Sequence, residues 1–197
     1  MRILHVCLCG PFTDGWNYQE NMLARAQLRS GFDVTVLAPC YSYNEKGEIV
    51  FAEKGCFWGE SGLKIIRVAI KGGRDVSFRL KRYKALYKTL EAENPDVIFV
   101  HGCQFLDAGK VASYVSKHNV KLFCDNHADF HNSARGWISA KLLHGILWKS
   151  CAHRLVKNAE CFFGVTPLRC AFLKDVYRLP DNKVKLLNMG ADDVLAA

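Results

Sequence analysis

The segment from Lys121 to His131 changes within a few residues from an apolar run to a cluster of polar side chains. It begins as Lys-Leu-Phe-Cys, which is typical of a strand, and continues with Asp125, Asn126, His127, Asp129 and His131. Carboxylates and imidazoles can move protons, hydrogen-bond a substrate or coordinate a metal ion. Because ligands of open α/β sheets bind beyond the carboxyl ends of the strands, this segment is a candidate site.

Asp125, His127, Asp129 and His131 are all competent metal ligands, and their alternating spacing would place them on one face of a continuing strand. The abrupt gain in polarity favours a turn after the strand instead, which would separate the four side chains. We therefore expect no catalytic metal ion here. The alternative to a functional role is a structural one, in which a histidine only caps a strand end; this alternative is stronger for His101 and His131 than for His127.

Strand and helix patterns alternate along the whole chain, which predicts βαβ units and one Rossmann-like, doubly wound parallel sheet of the α/β class. Apolar runs predict seven strands, at residues 2–8, 33–38, 63–70, 96–100, 120–124, 160–165 and 183–187. Helices are predicted at 17–30, 77–93 (with Ser77 as its N-cap), 105–118, 134–157 and 167–177. Residues 40–62 interrupt the alternation, and a hairpin is predicted around Glu45–Glu48.

The composition predicts one soluble domain covering residues 1–197. The nine cysteines lie mostly in apolar patterns and form no Cys-x-x-Cys pair, which favours free thiols in a reducing compartment. No secretory leader or membrane-spanning run is present, so we expect a cytoplasmic protein. The net charge of +8 is concentrated in two zones, 64–88 and 130–159, which suit phosphates or an anionic surface.

The turn after the first predicted strand contains Gly10 and Gly15, which could let backbone N–H groups approach a phosphate. These glycines do not form the Gly-x-Gly-x-x-Gly fingerprint, and the second strand ends in Ala38-Pro39 without the acid that binds a ribose hydroxyl. The pattern therefore disfavours a dinucleotide-dependent dehydrogenase. An ordinary turn glycine remains the alternative for Gly15.

Several segments together resemble the N-terminal domain of a GT-B glycosyltransferase: Arg2–Val6, the Gly15 turn leading into Tyr18–Asn21, Gly31–Leu37, and Val184–Asp192. They are similar to the retaining family 4, and in particular to members that build bacterial surface polysaccharides. Two positions depart from the family pattern. Trp16 stands where many members have a second glycine, and Asn-Met-Gly at 188–190 replaces the more usual Pro-Asn-Gly.

The resemblance implies a two-domain enzyme of which this chain supplies the acceptor side of the cleft. It implies transfer of a hexose-type unit from a nucleotide-sugar to a glycan or lipid-linked acceptor, with retention, without a cofactor and without a required metal ion. Most contacts with the nucleotide-sugar would belong to a C-terminal domain absent from this chain. We expect the chain alone to be inactive as a fragment.

The same resemblance assigns roles to individual residues. Gly15 and Trp16 would approach the donor diphosphate. His127 would lie beside the transferred sugar, and Asp129 would orient His127 or the acceptor. The acceptor side would be formed by Asn17, Tyr18, His101 and Asn126.

The predicted helix at 134–157 combines Trp137 and Trp148 with basic residues that include Lys141, Lys149, Arg154 and Lys157. This composition suits contact with an anionic membrane surface as well as burial in a core. Two other functions remain as alternatives. One is a non-catalytic basic module for nucleic acid or phosphorylated ligands, which would need exposed stacking aromatics along a basic stripe. The other is a stand-alone Rossmann-like enzyme. We expect no nucleic-acid partner.

Overall fold

The computed structural model describes residues 1–72, 80–130, 139–188 and 190, and the side chains of all of these except 139–141. The strands are β1 (Arg2–Val6), β2 (Asp33–Pro39), β3 (Tyr41–Tyr43), β4 (Ile49–Phe51), β5 (Gly55–Trp58), β6 (Lys64–Val68), β7 (Val97–His101), β8 (Lys121–Asn126), β9 (Ala159–Gly164) and β10 (Val184–Leu186). The α-helices within these ranges are α1 (Gln19–Arg29), α2 (Leu86–Glu93), α3 (Ala108–Lys117), α4 (Lys149–Val156) and α5 (Pro167–Asp175). A π-helical segment, Ser139–Trp148, runs directly into α4, and a short 3₁₀ turn, Asp181–Lys183, precedes β10.

The central sheet has the strand order β10-β9-β8-β7-β1-β2-β6-β5. Its neighbours pair in parallel except β5, which runs antiparallel to β6 at one edge. The seven predicted strands are therefore confirmed, with one additional edge strand. From β1 the chain winds outward to β2 and β6 in one direction and to β7 through β10 in the other, which confirms the doubly wound α/β class.

Two separate hydrophobic cores cover the two faces of the sheet. Leu4 and Val6 of β1 belong to the larger core with α2, α3, α4 and α5, whereas Ile3 belongs to the smaller core with Ala24 of α1. Successive strand residues point to opposite faces, so a parallel strand covered on both sides reads as a continuous apolar run. His5 shares the α1 face with Ile3 and is completely buried.

The excursion at 40–62 contains the predicted hairpin. β3 and β4 pair antiparallel around residues 44–48, and Asn44 Oδ1 accepts hydrogen bonds from the backbone of Lys46 and Glu48. This capping of the turn by an asparagine side chain is a common way to close a loop. The hairpin places Tyr43 next to the turn between β1 and α1, because Tyr43 N donates to Thr13 Oγ1 at 2.8 Å.

The predicted helix at 77–93 is wrong over residues 81–85, which are not helical, and α2 begins only at Leu86. Contacts from distant parts of the chain hold this stretch: Lys71 N donates to the carbonyl of Arg82, and Tyr83 N donates to Asp107 Oδ2 at 2.7 Å. Lys81 and Ala85 have φ values of 52° and 56°, in the left-handed region that a helix excludes. The proposed N-cap, Ser77, lies outside the described residues.

The predicted helix at 134–157 is helical from Ser139 to Val156. Trp137 and His131 lie outside the described residues. Trp148 is only 5% exposed, so it packs in the core and is not available to a membrane surface. No described helix is both long and apolar enough to span a bilayer. All nine cysteines are free thiols, as predicted.

Candidate functional site

A cavity of about 350 Å³ lies at the carboxyl ends of β1 and β7, where the chain reverses its winding direction. This switch point is where open α/β sheets bind their ligands. The turn after β1 contributes Cys7, Cys9, Gly10 and Pro11 to its lining. The start of α1, the hairpin and the neighbouring strand ends contribute Asn17, Tyr18, Gln19, Glu20, Tyr43, His101 and His127.

Behind this cavity, buried polar side chains form a row across β1, β7 and β8. His5 Nδ1 lies 2.8 Å from His101 Nε2, and His101 Nδ1 lies 2.7 Å from Asp125 Oδ2. At the Asp125 end of the row, the second carboxylate oxygen, Oδ1, accepts a 3.0 Å hydrogen bond from Gly102 N. At the His5 end, Gln27 Oε1 lies 2.7 Å from His5 Nε2. Since buried polar groups are stable only when hydrogen-bonded, this row is satisfied along its length.

His127 lies where this row meets the cavity. Its Nε2 is 3.3 Å from Asp125 Oδ1, a longer contact than the one His101 makes, and about a third of its side chain remains exposed. Burial alone would lower the pKa of His127, but the hydrogen bond and negative charge of Asp125 outweigh it and raise the pKa above its ordinary value. The ring therefore keeps its proton to higher pH than a free histidine does.

The charges in the row can be read from its hydrogen bonds. With the Gln27 oxygen facing it, His5 must donate from Nε2 and accept at Nδ1, so His101 donates from Nε2. Burial and His101 lower the pKa of His5 to about 3, so His5 is neutral. Burial opposes ionisation of Asp125, but His101 and His127 outweigh it and hold its pKa well below the ordinary range.

Four of the predicted site residues come together in this one cavity: His127, His101, Asn17 and Tyr18. They come from three separate parts of the sequence, so the topology alone joins them. Asn17 is held by Arg25, whose guanidinium donates to Asn17 Oδ1 at 2.8 Å. His101 is almost fully buried and presents little surface to a ligand.

Gly15 and Trp16 are not among the described lining residues of this cavity. Gly15 has φ +77°, and a Cβ there would lie 2.9 Å from a carboxylate oxygen of Glu60. Trp16 stacks on Tyr43 with ring centroids 5.7 Å apart and meets Tyr18 edge-on. Trp16 thus supports two rings of the cavity wall from behind, and the diphosphate role of both residues stays a prediction.

Asn126 and Asp129 follow the end of β8. Asn126 is fully buried; its amide donates to the Ala128 carbonyl at 2.7 Å and its oxygen accepts from Gln104 at 3.0 Å, which shapes the loop that carries His127. Asp129 Oδ2 lies 3.5 Å from Arg169 Nε. The acceptor role of Asn126 and the orienting role of Asp129 stay predictions.

Within the part of the chain that the structure describes, His101, Asp125 and His127 could hold a metal ion, since each offers a ligand atom within 4.8 Å of the others. This set of two imidazoles and one carboxylate is suited to zinc in chemical type. Both Asp125 oxygens already accept hydrogen bonds or ion-pair contacts from these same rings and from Gly102. The geometry is thus that of a hydrogen-bonded row, and the expectation that no metal is required stays a prediction.

Sequence reasoning missed His5 and Gln27, and it considered Asp125 only as a metal ligand. The available signal was a histidine inside the apolar run of β1, at a position where the strand is covered on both faces. A histidine buried there needs a hydrogen-bond partner. The partner could not be identified, because pairing of β1 with β7 and of β7 with β8 depends on strand order and register.

The class of protein follows from comparison with known families. Residues 21–194 match the family model Glycosyltransferase Family 4, and the chain belongs to this family. No curated protein matches the chain. The family match confirms the resemblance of the sequence to family 4, and the sheet described above is the Rossmann-like N-terminal half of the GT-B architecture.

Several solved structures share this fold. Sucrose-phosphate synthase from Thermosynechococcus elongatus superimposes with a TM-score of 0.66 at 13% identity, covering 98% of this chain and 49% of that one. HepE of Anabaena, in complex with UDP and glucose, superimposes with a TM-score of 0.58 at 10% identity, covering 99% of this chain and 46% of that one. UDP-GlcNAc 2-epimerase from Methanocaldococcus jannaschii superimposes with a TM-score of 0.52 at 15% identity, covering 94% of this chain and 45% of that one. The chain thus spans about half the length of these structures.

Proposed function

We propose that this chain forms the acceptor side of the cleft of a retaining glycosyltransferase, which moves a hexose-type unit from a nucleotide-sugar to a glycan or lipid-linked acceptor. The observation that carries the proposal is the position of His127, which opens into the switch-point cavity and has Asp125 behind it. Family membership supports the reaction class. The UDP and glucose bound to HepE, which shares the fold, support a nucleotide-sugar donor.

Glycosyl transfer develops positive charge on the sugar and negative charge on the leaving diphosphate, so the site needs fixed hydrogen-bond donors. In this proposal His127 hydrogen-bonds a hydroxyl of the transferred sugar. Asp125 holds the ring in place and raises its pKa, which favours the protonated, donating form. The backbone at Gly15 and Trp16 contacts the diphosphate, and no metal ion or cofactor takes part.

The test is release of the free nucleotide from a panel of nucleotide-sugars by the full-length protein that contains this chain. His127→Gln is expected to lower the rate by about 10²-fold or more, the usual effect of removing one transition-state donor. His118→Gln is the matched control, because His118 is an exposed histidine stacked on Tyr114 at the far end of α3. Equal rates for the two variants would refute the role of His127. Turnover of no nucleotide-sugar, with binding of single-stranded nucleic acid, would favour the basic binding module.

We further propose that a second Rossmann-like domain completes the cleft. The chain spans about half of the solved structures that it matches, which supports this view. The reading frame beyond Ala197 tests it directly. A continuation of comparable length with alternating strand and helix patterns is expected, and a stop codon immediately after Ala197 would refute the two-domain proposal.

Peripheral membrane contact is proposed for the outer face of the π-helical segment. Leu142 and Ile146 are 50% and 63% exposed, and Lys149 follows one turn later. Burying an apolar side chain in a bilayer is worth about 1.5–3 kcal/mol, and a lysine near anionic lipid adds about 1 kcal/mol. Double substitution of Leu142 and Ile146 by Ser should reduce sedimentation with phosphatidylserine vesicles. Leu168→Ser, which changes an exposed leucine on α5, should leave it intact; equal sedimentation of both variants would contradict the proposal.

A further inference from the structure

A second cavity of about 350 Å³ lies on the other side of His127. It shares Cys9 and His127 with the switch-point cavity, so His127 borders both. Its remaining wall includes Lys81, Gln104, His144 and Trp148, which come from the non-helical stretch before α2, the loop after β7 and the π-helical segment. We call this second cavity the Lys81 chamber.

Lys81 is the cation of this chamber. It is half-buried, and its ammonium lies 5.8 Å from the centroid of the Trp148 ring. Among the described residues it has no carboxylate within ion-pair distance and no hydrogen-bond acceptor. Its backbone has φ 52°, a conformation that costs a residue other than glycine about 1 kcal/mol. A lysine held under strain over a buried ring, without an acid beside it, is suited to binding an anion.

Hydrogen bonding on the opposite wall favours the same ligand. Gln104 Nε2 donates to Tyr177 Oη at 3.0 Å, and Tyr177 Oη lies 2.8 Å from His144 Nδ1. Burial, assisted by the charge of Lys81, lowers the pKa of His144, so this ring is neutral. It accepts at Nδ1 from the tyrosine hydroxyl, and its proton is on Nε2. Lys81 supplies a cation and His144 a neutral imidazole among the lining residues of the chamber, a set that can complement a phosphate or carboxylate oxygen.

The two cavities differ in charge. The switch-point cavity has a carboxylate, Glu20, on its wall, and its aromatic side is supported by Trp16, one of the residues proposed to contact the donor diphosphate. The Lys81 chamber has a lysine and no acid among its described lining residues. The predicted acceptor residues Asn17, Tyr18 and His101 line the switch-point cavity, and His127 borders both cavities, so an acceptor bound at these residues could place an anionic group in the Lys81 chamber.

We propose that the Lys81 chamber binds a negatively charged group, a phosphate or a carboxylate, of the acceptor substrate. This inference rests on the proposed function, since it takes His127 as the residue beside the transferred sugar. It narrows the acceptor class to phosphorylated carriers or acidic sugars. Lys81 would position the acceptor and set specificity.

The test is a titration of the purified protein with inorganic phosphate and, separately, with glucuronate, followed through the imidazole resonances of His144 and His127 by NMR. At least one anion should give saturable shifts, and the stronger of the two identifies the source of the charge. Lys81→Gln should weaken this binding at least tenfold. Lys84→Gln should bind like wild type, because it removes an exposed charge from the same stretch.

Absence of saturable shifts with both anions, or equal binding by the Lys81 and Lys84 variants, would overturn the inference. Glucose, which is neutral, should produce no Lys81-dependent shift, and such a shift would equally count against it. The binding titration requires no turnover. Absence of anion binding together with a rate defect in His127→Gln would refute the chamber alone. Lys81-dependent binding with a fully active His127→Gln would refute only the role of His127, and Lys81-dependent binding with turnover of no nucleotide-sugar would refute only the proposed transfer function.

Discussion

His5 should make the protein sensitive to mild acid. The ring is completely buried, and burial together with His101 lowers its pKa from 6.5 to about 3. Between these two values the unfolded chain binds a proton at this position and the folded protein does not, so stability rises with pH across that interval. A pH of 4.5 lies about 2 units below the pKa of His5 in the unfolded chain, and each unit stabilises the protonated unfolded state by about 1.36 kcal/mol. The free energy of unfolding should therefore be about 2.5 kcal/mol lower at pH 4.5 than at pH 7.

Two other groups of the site, His127 and Asp125, also contribute to the pH dependence of stability, and the direction of each contribution follows from its pKa shift. His127 has a raised pKa, so its contribution is fully present below its ordinary value and is lost as the pH rises. Asp125 has a lowered pKa, so its contribution is lost only in stronger acid. Neither group produces a loss of stability between pH 7 and pH 4.5. His144, whose pKa is also lowered by burial, contributes a loss of the same sign as His5, so the difference between wild type and a His5 variant is the quantity that reports on His5.

The assay is urea unfolding of wild type and His5→Asn at pH 7 and pH 4.5, because linear extrapolation gives the free energy of unfolding at each pH. Asparagine keeps an acceptor for His101 Nε2 but does not titrate. We expect wild type to lose about 2.5 kcal/mol more than the variant does. An NMR titration gives the same answer directly, since the His5 resonance should stay constant down to pH 4.5. Equal losses in both proteins, or titration of His5 near 6.5, would refute the reasoning.

Two further predictions concern the same row. Nitrogen NMR should show the single proton of the neutral His5 ring on Nε2 at pH 7; a proton on Nδ1 would mean that the Gln27 amide is turned round. Gly102→Ala should destabilise the fold by about 3 kcal/mol, because a Cβ there would lie 2.5 Å from Cys9 Sγ at a φ of +77°. Gly31→Ala is the control, because Gly31 has a similar φ of +82° but no atom lies within 4 Å of the added Cβ. Its free energy of unfolding should fall by only about 1 kcal/mol. Similar unfolding free energies for both variants would contradict the predicted clash.

The sheet could be predicted from sequence because each parallel strand is covered on both faces and appears as an apolar run. The hairpin at β3 and β4 was predictable for a similar reason, since its turn chemistry is local. β5 was not predicted: its four residues are all exposed, so no burial pattern marks them. Strands that are buried on both faces can thus be predicted from the sequence, whereas an exposed edge strand such as β5 cannot.

The stretch at 81–85 shows where local patterns fail. Tyr83 falls within the helix predicted at 77–93, and it is fully buried, but in a non-helical segment. Its hydroxyl donates to the Leu8 carbonyl at 2.7 Å and its N–H donates to Asp107. These partners are 75 and 24 residues away in sequence. Helix propensity differs by less than about 1 kcal/mol between most residues, so long-range hydrogen bonds of this kind override it.

The site was predictable in location but not in its connections. βα alternation predicts parallel strands, so the carboxyl ends of β1, β7 and β8 were expected at one edge of the sheet, although the order of the strands was not. Which acid stands behind His127 depends on register, and the structure pairs Asp125 with His101 across β7 and β8. Asp125 is the last but one residue of β8, whereas Asp129 follows in the loop. A shift of one residue would turn Asp125 to the other face.

The polar row therefore connects the fold to the proposed chemistry. Three adjacent strands each contribute one member, His5, His101 and Asp125, and the sheet fixes their spacing. Replacing one member leaves its neighbour buried without a partner, which costs about 1–3 kcal/mol and permits the next ring to turn. Because His127 is in contact with the last member, Asp125, a change at His5 on the opposite side of the row should alter the orientation of His127. In the proposed function the row would position His127, because the strands fix the spacing of its members.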